Sequence, residues 1–361
     1  MEQKEDIFAM LDQLDRPAFF VKDGRILRVN AAAEAYLLDR DTPIEQMLVT
    51  GQQEYPAFQG GCLHLRLRTA GGTHGAAVTR VGNMDMFVLD TAEDGAELQA
   101  MALAARELRQ PLASVMTVAD RLFPVSGTDP DPVLQDQIAR INRGLFQMLR
   151  IVGNMSDAYR YSIDASTSMQ TQDATALIEE LFTASAALVE HAGVRLEYSG
   201  PRESVYCLLD WEKLERAISN IISNAVKFSP KGSCVTAKLT RRGNMLYLTV
   251  QDGGEGVAEN LRGRVYDRFQ RAPGIEDGRY GIGLGMVLIR STAAIHGGTV
   301  LIDQPTGEGT RITMTLQIRN SSEITLSSPR IKIDYAGERD HGLIELSESL
   351  PYSLYRKENI N

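Results

Sequence analysis

Long apolar runs are missing from this sequence. No window approaches the roughly 18 consecutive apolar residues that a bilayer-spanning helix needs. No secretory leader is visible, because Met1-Glu2-Gln3-Lys4-Glu5-Asp6 is charged and leads into an ordinary amphipathic stretch. The expectation is a soluble, cytoplasmic chain with no membrane span. Cysteine is scarce: Cys62, Cys207 and Cys234 stand far apart without paired spacing. That argues against a disulfide framework or a zinc site and for buried free thiols. Positive charge is not in excess. The formal net charge of −9 argues against bulk binding of nucleic acid or an anionic membrane, which needs basic patches. Histidine is also rare, at five residues: His64, His74, His191, His296 and His341.

What remains is ordinary globular composition, 43% hydrophobic and 24% charged, in 361 residues. That length is too great for one compact core and fits two or three domains. Residues 17–90 read as mixed α and β. Ala18-Phe19-Phe20-Val21 and Ile26-Leu27-Arg28-Val29 are strand-like and flank Asp23-Gly24, a hairpin signal. Asn30 is placed to cap an alanine-rich helix. Leu63, Leu65 and Leu67 alternate with His64, Arg66 and Arg68, the pattern of a half-buried strand, and two more strands follow the Gly71-Gly72 turn. This order is similar to a PAS sensor domain, over residues 1–92. The resemblance rests on pattern and favours a packed, dimer-forming core over one that holds a ligand.

Residues 93–165 change period. Leu98, Met101, Ala105, Leu108, Leu112, Val115, Ala119 and Leu122 recur at alternating spacings of three and four, a heptad seam. After a break around Pro124 and Pro130, a second seam runs through Leu134, Ile138, Ile141, Leu145, Met148, Val152, Met155 and Tyr159. Two seamed helices make an αα-hairpin. One hairpin cannot bury both seams, so two chains are expected to pair as a four-helix bundle. The alternative is a single hairpin packed on a neighbouring domain.

From 170 to 319 the pattern is α/β. Asp210 is placed to cap a helix from Leu214 to Phe228. At about 100° per residue, Asn220, Asn224 and Lys227 share one sector, while Leu214, Ile218, Ile221, Ile222 and Ala225 take the other. Amide oxygens suit Mg²⁺ that also holds phosphate, and a lysine adds a point charge for phosphate. Three glycine-rich turns follow: Asp252-Gly253-Gly254-Glu255-Gly256 after a strand, Gly281-Ile282-Gly283-Leu284-Gly285 before a helix, and Gly307-Glu308-Gly309-Thr310 before a strand. Such turns bring backbone N–H groups close to a ligand, and the helix start adds its positive dipole end.

Here the chain resembles the histidine-kinase branch of the Bergerat-fold ATPases. Residues 220–228 match its asparagine box and 252–256 its first glycine box. Val265-Tyr266-Asp267-Arg268-Phe269 matches its phenylalanine box, and the other two turns match the remaining glycine boxes. The resemblance implies a sensor histidine kinase that is an α+β multidomain protein: a PAS-like α/β sensor, a two-helix dimerisation hairpin, and a Bergerat-type α/β sandwich over 170–319. A tail, 320–361, carries apolar clusters around Ile331-Ile333-Tyr335 and Leu343-Leu350 and is either disordered or docked.

The resemblance also implies ATP and Mg²⁺ as cofactors, with Asn224 as the metal ligand. Lys227 would contact phosphate, Phe228 would lie beside adenine, and Asp252 would accept from the adenine amino group. Gly254, Gly256, Arg271, Gly281, Gly283, Leu284, Gly285 and Thr310 would complete the cradle, with 270–280 as a lid. His296 reads as structural. Hydrolysing relatives place a Glu four residues before the metal ligand, whereas here Asn220 stands there, and an amide cannot take a proton from water.

The implied partners are a second copy of the chain, a response regulator receiver domain, or a partner histidine kinase. The phosphoacceptor box, usually His-Glu-Leu-Arg-Thr-Pro-Leu, stands as Arg106-Glu107-Leu108-Arg109-Gln110-Pro111-Leu112. Arg106 replaces the histidine. A guanidinium keeps its proton where an imidazole is a free nucleophile. Three readings stay open: a pseudokinase or phosphatase-biased sensor, transfer to another acceptor, and a scaffold for an active kinase.

Overall fold

A computed structural model describes residues 8–122, 132–163, 168–256, 283–304, 309–319 and 340–360. β1 (Ala18–Lys22) and β2 (Arg25–Val29) form a hairpin whose turn, Asp23-Gly24, has positive φ at both residues. This is the conformation that an Asp-Gly pair tolerates best. Asn30 then caps α1 (Ala31–Glu34). Its side-chain oxygen accepts from the N–H groups of Ala33 and Ala18, each at 3.0 Å. Its amide donates to the carbonyls of Leu14 and Arg16, so one buried side chain ties three segments together.

After α2 (Ile44–Met47) come β3 (Cys62–Thr69), β4 (Gly72–Val81) and β5 (Met84–Leu89), in the sheet order β2-β1-β5-β4-β3. Leu63, Leu65 and Leu67 face a packed core with Phe19, Phe87 and Tyr55; the Phe19 and Phe87 rings stack at 4.9 Å.

α3 (Ala92–Leu122) and α4 (Pro132–Ile163) make the expected hairpin. The predicted seams split by heptad position. Leu98, Ala105, Leu112 and Ala119, each seven residues apart, are buried, as are Leu145 and Val152. The other register is exposed: Leu108 and Val115 on α3, and Leu134, Ile141 and Met148 on α4.

β6 (Gln170–Asp173) pairs with β8 (Tyr206–Leu209). α5 (Ala174–Glu190) leads to β7 (Arg195–Ser199), and α6 (Trp211–Phe228) to β9 (Cys234–Arg242) and β10 (Met245–Gln251). α7 (Gly285–Ile295), β11 (Val300–Asp303) and β12 (Arg311–Gln317) complete the unit. The strands run β11-β12-β10-β9-β7, with the helices layered on the sheet. Leu214, Ile218, Ile221, Ile222 and Ala225 of α6 enter a core with Leu246, Leu248, Val250 and Met314. No described helix is long and apolar enough to cross a membrane.

Two features join these parts. β3 pairs antiparallel with β11, Cys62 opposite Ile302 and His64 opposite Val300, so one ten-stranded sheet runs through both α/β regions. Asp90 fastens the joint: Arg290 of α7 meets it at 2.8 Å and His64 at 3.4 Å. Beside it, a cavity of about 1050 Å³ is lined in part by Arg66, His74, Arg290 and Arg319.

The second feature is the tail. α8 (His341–Glu345) is capped by Asp340, and Leu343, Ile344, Leu346, Leu350 and Tyr355 are buried in the same core as α6. The Leu343–Leu350 cluster therefore docks, while the Ile331-Ile333-Tyr335 cluster lies outside the described residues.

Candidate nucleotide site

The start of α6 is fixed before any ligand is considered. Asp210 caps the helix and pairs with Lys213 at 2.6 Å. Its own N–H donates to Nε2 of His296 at 3.0 Å, and the His296 Nδ1 lies 2.7 Å from the Thr292 carbonyl. That geometry requires a neutral ring with the proton on Nδ1, and burial lowers the His296 pKa accordingly. His296 is thus structural, tying the end of α7 to the cap of α6.

Two glycine turns converge on Asp252. One carboxylate oxygen accepts from the N–H of Gly254 at 2.8 Å and of Thr310 at 3.0 Å. The other has no hydrogen-bond partner among the described residues and is open to a donor. Burial pushes the Asp252 pKa up, and the two N–H groups pull it back in part. The cradle admits no side chains. A Cβ on Gly254 would stand 2.5 Å from the Phe228 carbonyl, and one on Gly309 would stand 2.0 Å from that of Asp252. Gly256 has φ +79° and Gly283 has φ +80°. Phe228 is exposed beside this cradle, and the Lys227 ammonium lies 5.5 Å from its ring centre.

The face carrying Asn220, Asn224 and Lys227 differs from the solvent-facing sector that helical periodicity predicts. Asn220 is buried; its oxygen accepts from Arg150 of α4 at 3.1 Å, and its amide donates to the Arg216 carbonyl at 2.8 Å. Gly285, at the start of α7, packs against the same side chain. Asn224 is half-buried. Lys227 pairs with Glu348 of the tail at 3.3 Å, and the Ser349 hydroxyl donates to the Ser223 carbonyl at 2.9 Å. A second layer covers this sector because α4 and the tail both pack on α6.

Next to it lies a buried ion cluster that sequence reasoning missed. Arg216 pairs with Asp157 of α4, bonds Asn154 at 2.9 Å, and meets Glu345 at 3.3 Å. Arg150 meets Glu345 at 3.9 Å and Glu348 at 3.3 Å. At its edge, burial opposes protonation of His341. Its hydrogen bond with Glu215 and the charge of Glu345 outweigh that and raise its pKa.

Among the described site residues, Asn220, Asn224, Lys227 and Phe228 lie on the second half of α6, Gly254 approaches Phe228, Gly285 packs on Asn220, and Gly254 and Thr310 bind Asp252. Leu284, by contrast, is buried with Leu98, Ala158 and Tyr161 of the helical hairpin and not against α6. Gly281, Arg271, the lid and the phenylalanine box lie outside the described residues. Arg106 and Glu107 are exposed on α3, and no described hydrogen bond or ion pair links them to α6.

The class follows from this site and sheet. Residues 209–320 match the family described as Histidine kinase-, DNA gyrase B-, and HSP90-like ATPase. An uncharacterized sensor-like histidine kinase of Rhizobium meliloti is 29% identical over 276 residues, 72% of this chain and 52% of that one. Sensor histidine kinase WalK of Bacillus subtilis is 27% identical over 232 residues, 62% of this chain and 37% of that one. The chain therefore spans about half the length, or less, of these relatives. The crystal structure of full-length ShkA in complex with AMPPNP aligns with a TM-score of 0.51 at 21% identity. That match covers 63% of this chain and 47% of the other, and it supports the fold. The match and these relatives support a sensor histidine kinase family, with a Bergerat-type ATPase domain over residues 209–320.

Proposed function

We propose that this chain binds Mg·ATP at α6 and the two glycine turns, and signals in a two-component system by conformation, without phosphorylating position 106. The observation that carries the nucleotide reading is Asp252. One of its oxygens is locked by two backbone N–H groups, and the other is presented to a donor such as the adenine amino group. Gly254 and Gly309, where a Cβ would strike the Phe228 and Asp252 carbonyls, keep the two turns closed around that carboxylate and support the same fit. Asn224 would hold Mg²⁺, Lys227 would meet phosphate, and Phe228 would lie along the base. Bound ATP would supply a γ-phosphoryl group. Asn220 cannot act as a base toward water, since it is an amide already engaged by Arg150. The chain is then a kinase-type domain with its acceptor lost. Residues 1–92 would serve as a cytoplasmic PAS-like sensor, and a response regulator receiver or a partner kinase would be the readout.

Calorimetric titration tests this. Wild type is expected to bind Mg·ATP and to discriminate against Mg·GTP. Asp252→Asn is expected to weaken ATP binding by about 1–3 kcal/mol, the cost of a buried bond left unmade. Absence of any binding at millimolar nucleotide would end the reading.

The exposed seam register supports a homodimer. Leu108, Val115, Leu134, Ile141 and Met148 form an apolar stripe spaced by heptads, which a second copy would cover. Wild type is expected to run as a dimer in light scattering. Val115→Asp, placing a charge in the stripe, should shift it to monomer at low micromolar concentration. A monomeric wild type at high micromolar concentration would contradict the pairing.

A further inference from the structure

The tail is not a loose appendage: its polar groups are aimed at the face of α6 that the nucleotide reading assigns to phosphate and metal. Glu348 is the centre of that contact. Its carboxylate lies 3.3 Å from the Lys227 ammonium and 3.3 Å from the Arg150 guanidinium. Its carbonyl accepts from Arg143 at 3.2 Å, which holds the backbone in place. One residue on, Ser349 is bound to both the hydroxyl and the carbonyl of Ser223 at 2.9 Å. A lysine and an arginine that converge on one carboxylate supply the charge that a phosphate would seek.

The contact is anchored on both sides. Leu343, Ile344, Leu346 and Leu350 are buried against α6 and its neighbours, and the Tyr355 hydroxyl donates to the Leu343 carbonyl at 2.7 Å. Glu345, fully buried, meets both Arg150 of α4 and Arg216 of α6. The tail therefore places carboxylates between the hairpin and the ATPase sheet and holds α4 on α6.

We infer that residues 340–360 are an intramolecular ligand of the nucleotide site, with Glu348 standing at Lys227 where a nucleotide phosphate would stand. This rests on the nucleotide reading above. A triphosphate arriving at Lys227 brings negative charge against Glu348 at close range in a partly buried place, where like charges repel strongly. Glu348 must leave before the phosphates are fully held. The apparent affinity for ATP is then the intrinsic affinity reduced by the fraction of chains with the contact open. Adenosine, which carries no phosphate, does not meet this competition.

The test compares the full chain with Glu348→Gln, a change of charge at nearly constant shape on a side chain that is 21% exposed. Mg·ATP is expected to bind Glu348→Gln about tenfold more tightly than wild type, the scale of one charge-assisted contact. Adenosine affinity is expected to change less than twofold. In wild type, saturating Mg·ATP is expected to speed hydrogen exchange of the amides of residues 341–350. Equal ATP affinity in the two proteins, with unchanged exchange in the tail, would overturn the inference while leaving the nucleotide reading standing. An equal gain for adenosine would also overturn it, because the effect would then not lie at the phosphates. If neither protein bound ATP or adenosine, the nucleotide reading would fail and this inference with it.

Discussion

Arg216→Ala is expected to destabilise the chain by about 3–5 kcal/mol, the usual cost of removing one partner from a buried ion pair. The side chain is 4% exposed and meets three elements at once: its own helix α6, Asp157 and Asn154 on α4, and Glu345 on α8. In the surrounding cluster Arg150, Arg216 and Lys227 meet Asp157, Glu345 and Glu348, with Arg160 and His341 at its edges. Deleting one guanidinium takes from Asp157 and Glu345 the cation they share, leaving Asp157 with the half-exposed Arg160 at 3.2 Å and Glu345 with Arg150 at 3.9 Å and His341 at 3.8 Å. Chemical denaturation of the full chain should show the midpoint shift, and limited proteolysis should show the tail cut sooner, because Glu345 loses a main anchor. A second variant separates charge from packing. Arg216→Met combined with Asp157→Leu and Glu345→Leu removes three charges together. It is expected to recover most of the loss, since apolar replacements for a whole buried cluster are often tolerated. A single Arg216→Ala variant within about 1 kcal/mol of wild type would show that water or rearrangement already satisfies the cluster, and the buried network would lose its structural role.

The same cluster marks how far the sequence could be read. Local chemistry was legible. The Asp-Gly turn, the Asn30 and Asp210 caps and the inward set Leu63, Leu65 and Leu67 each depend on a few neighbouring residues and are found in the fold. The alternation fails at His64, which is buried against Asp90 and Arg290 instead of facing out. The convergence of 252–256 and 309–310 on one carboxylate was legible only through the resemblance, because nothing local says that two distant turns meet. Helical periodicity separated the apolar sector of α6 from its polar sector. It could not say that Arg150 and Glu348 would cover the polar sector, since a second layer of polar partners leaves no hydrophobic repeat. The heptad seams were read as single stripes. In the fold Leu98, Ala105, Leu112, Ala119, Leu145 and Val152 are buried while Leu108, Val115, Leu134, Ile141 and Met148 face outward, a division that spacing alone cannot make. The β3–β11 pairing was missed for a related reason. Val300–Asp303 is four residues long, and an edge-to-edge match between distant strands has no sequence signature.

The wild-type chain is expected to carry no acid-labile phosphate at position 106, and Arg106→His is expected to gain it. The flanking residues Ala105 and Leu112 are buried in the hairpin, which turns position 106 outward, and Arg106 and Glu107 are both exposed. The site is therefore reachable, and its neighbouring carboxylate is retained. Pro111 is accommodated within α3, and Arg109 bonds Ser156 of α4 at 3.1 Å, so the helix keeps its place on its partner. What fails is the nucleophile. A guanidinium stays protonated and offers no lone pair to the γ-phosphorus. An imidazole at the same place would have a free nitrogen near neutral pH and a carboxylate beside it to take its proton. The second requirement is delivery. With the tail docked, Arg150 bonds Asn220 and Asp157 pairs with Arg216, so α4 and α6 are held together. The ATPase unit must leave that arrangement to carry phosphate to α3. Arg106→His combined with Glu348→Gln is accordingly expected to label faster than Arg106→His alone. The measurement is acid-labile radiolabel from γ-labelled ATP on wild type, Arg106→Ala, Arg106→His and the double variant. Strong label on wild type that persists in Arg106→Ala would mean another residue accepts phosphate, and the pseudokinase reading would be dropped. A double variant that binds ATP and stays unlabelled would refute the restoration and put the remaining defect in the path between α6 and α3.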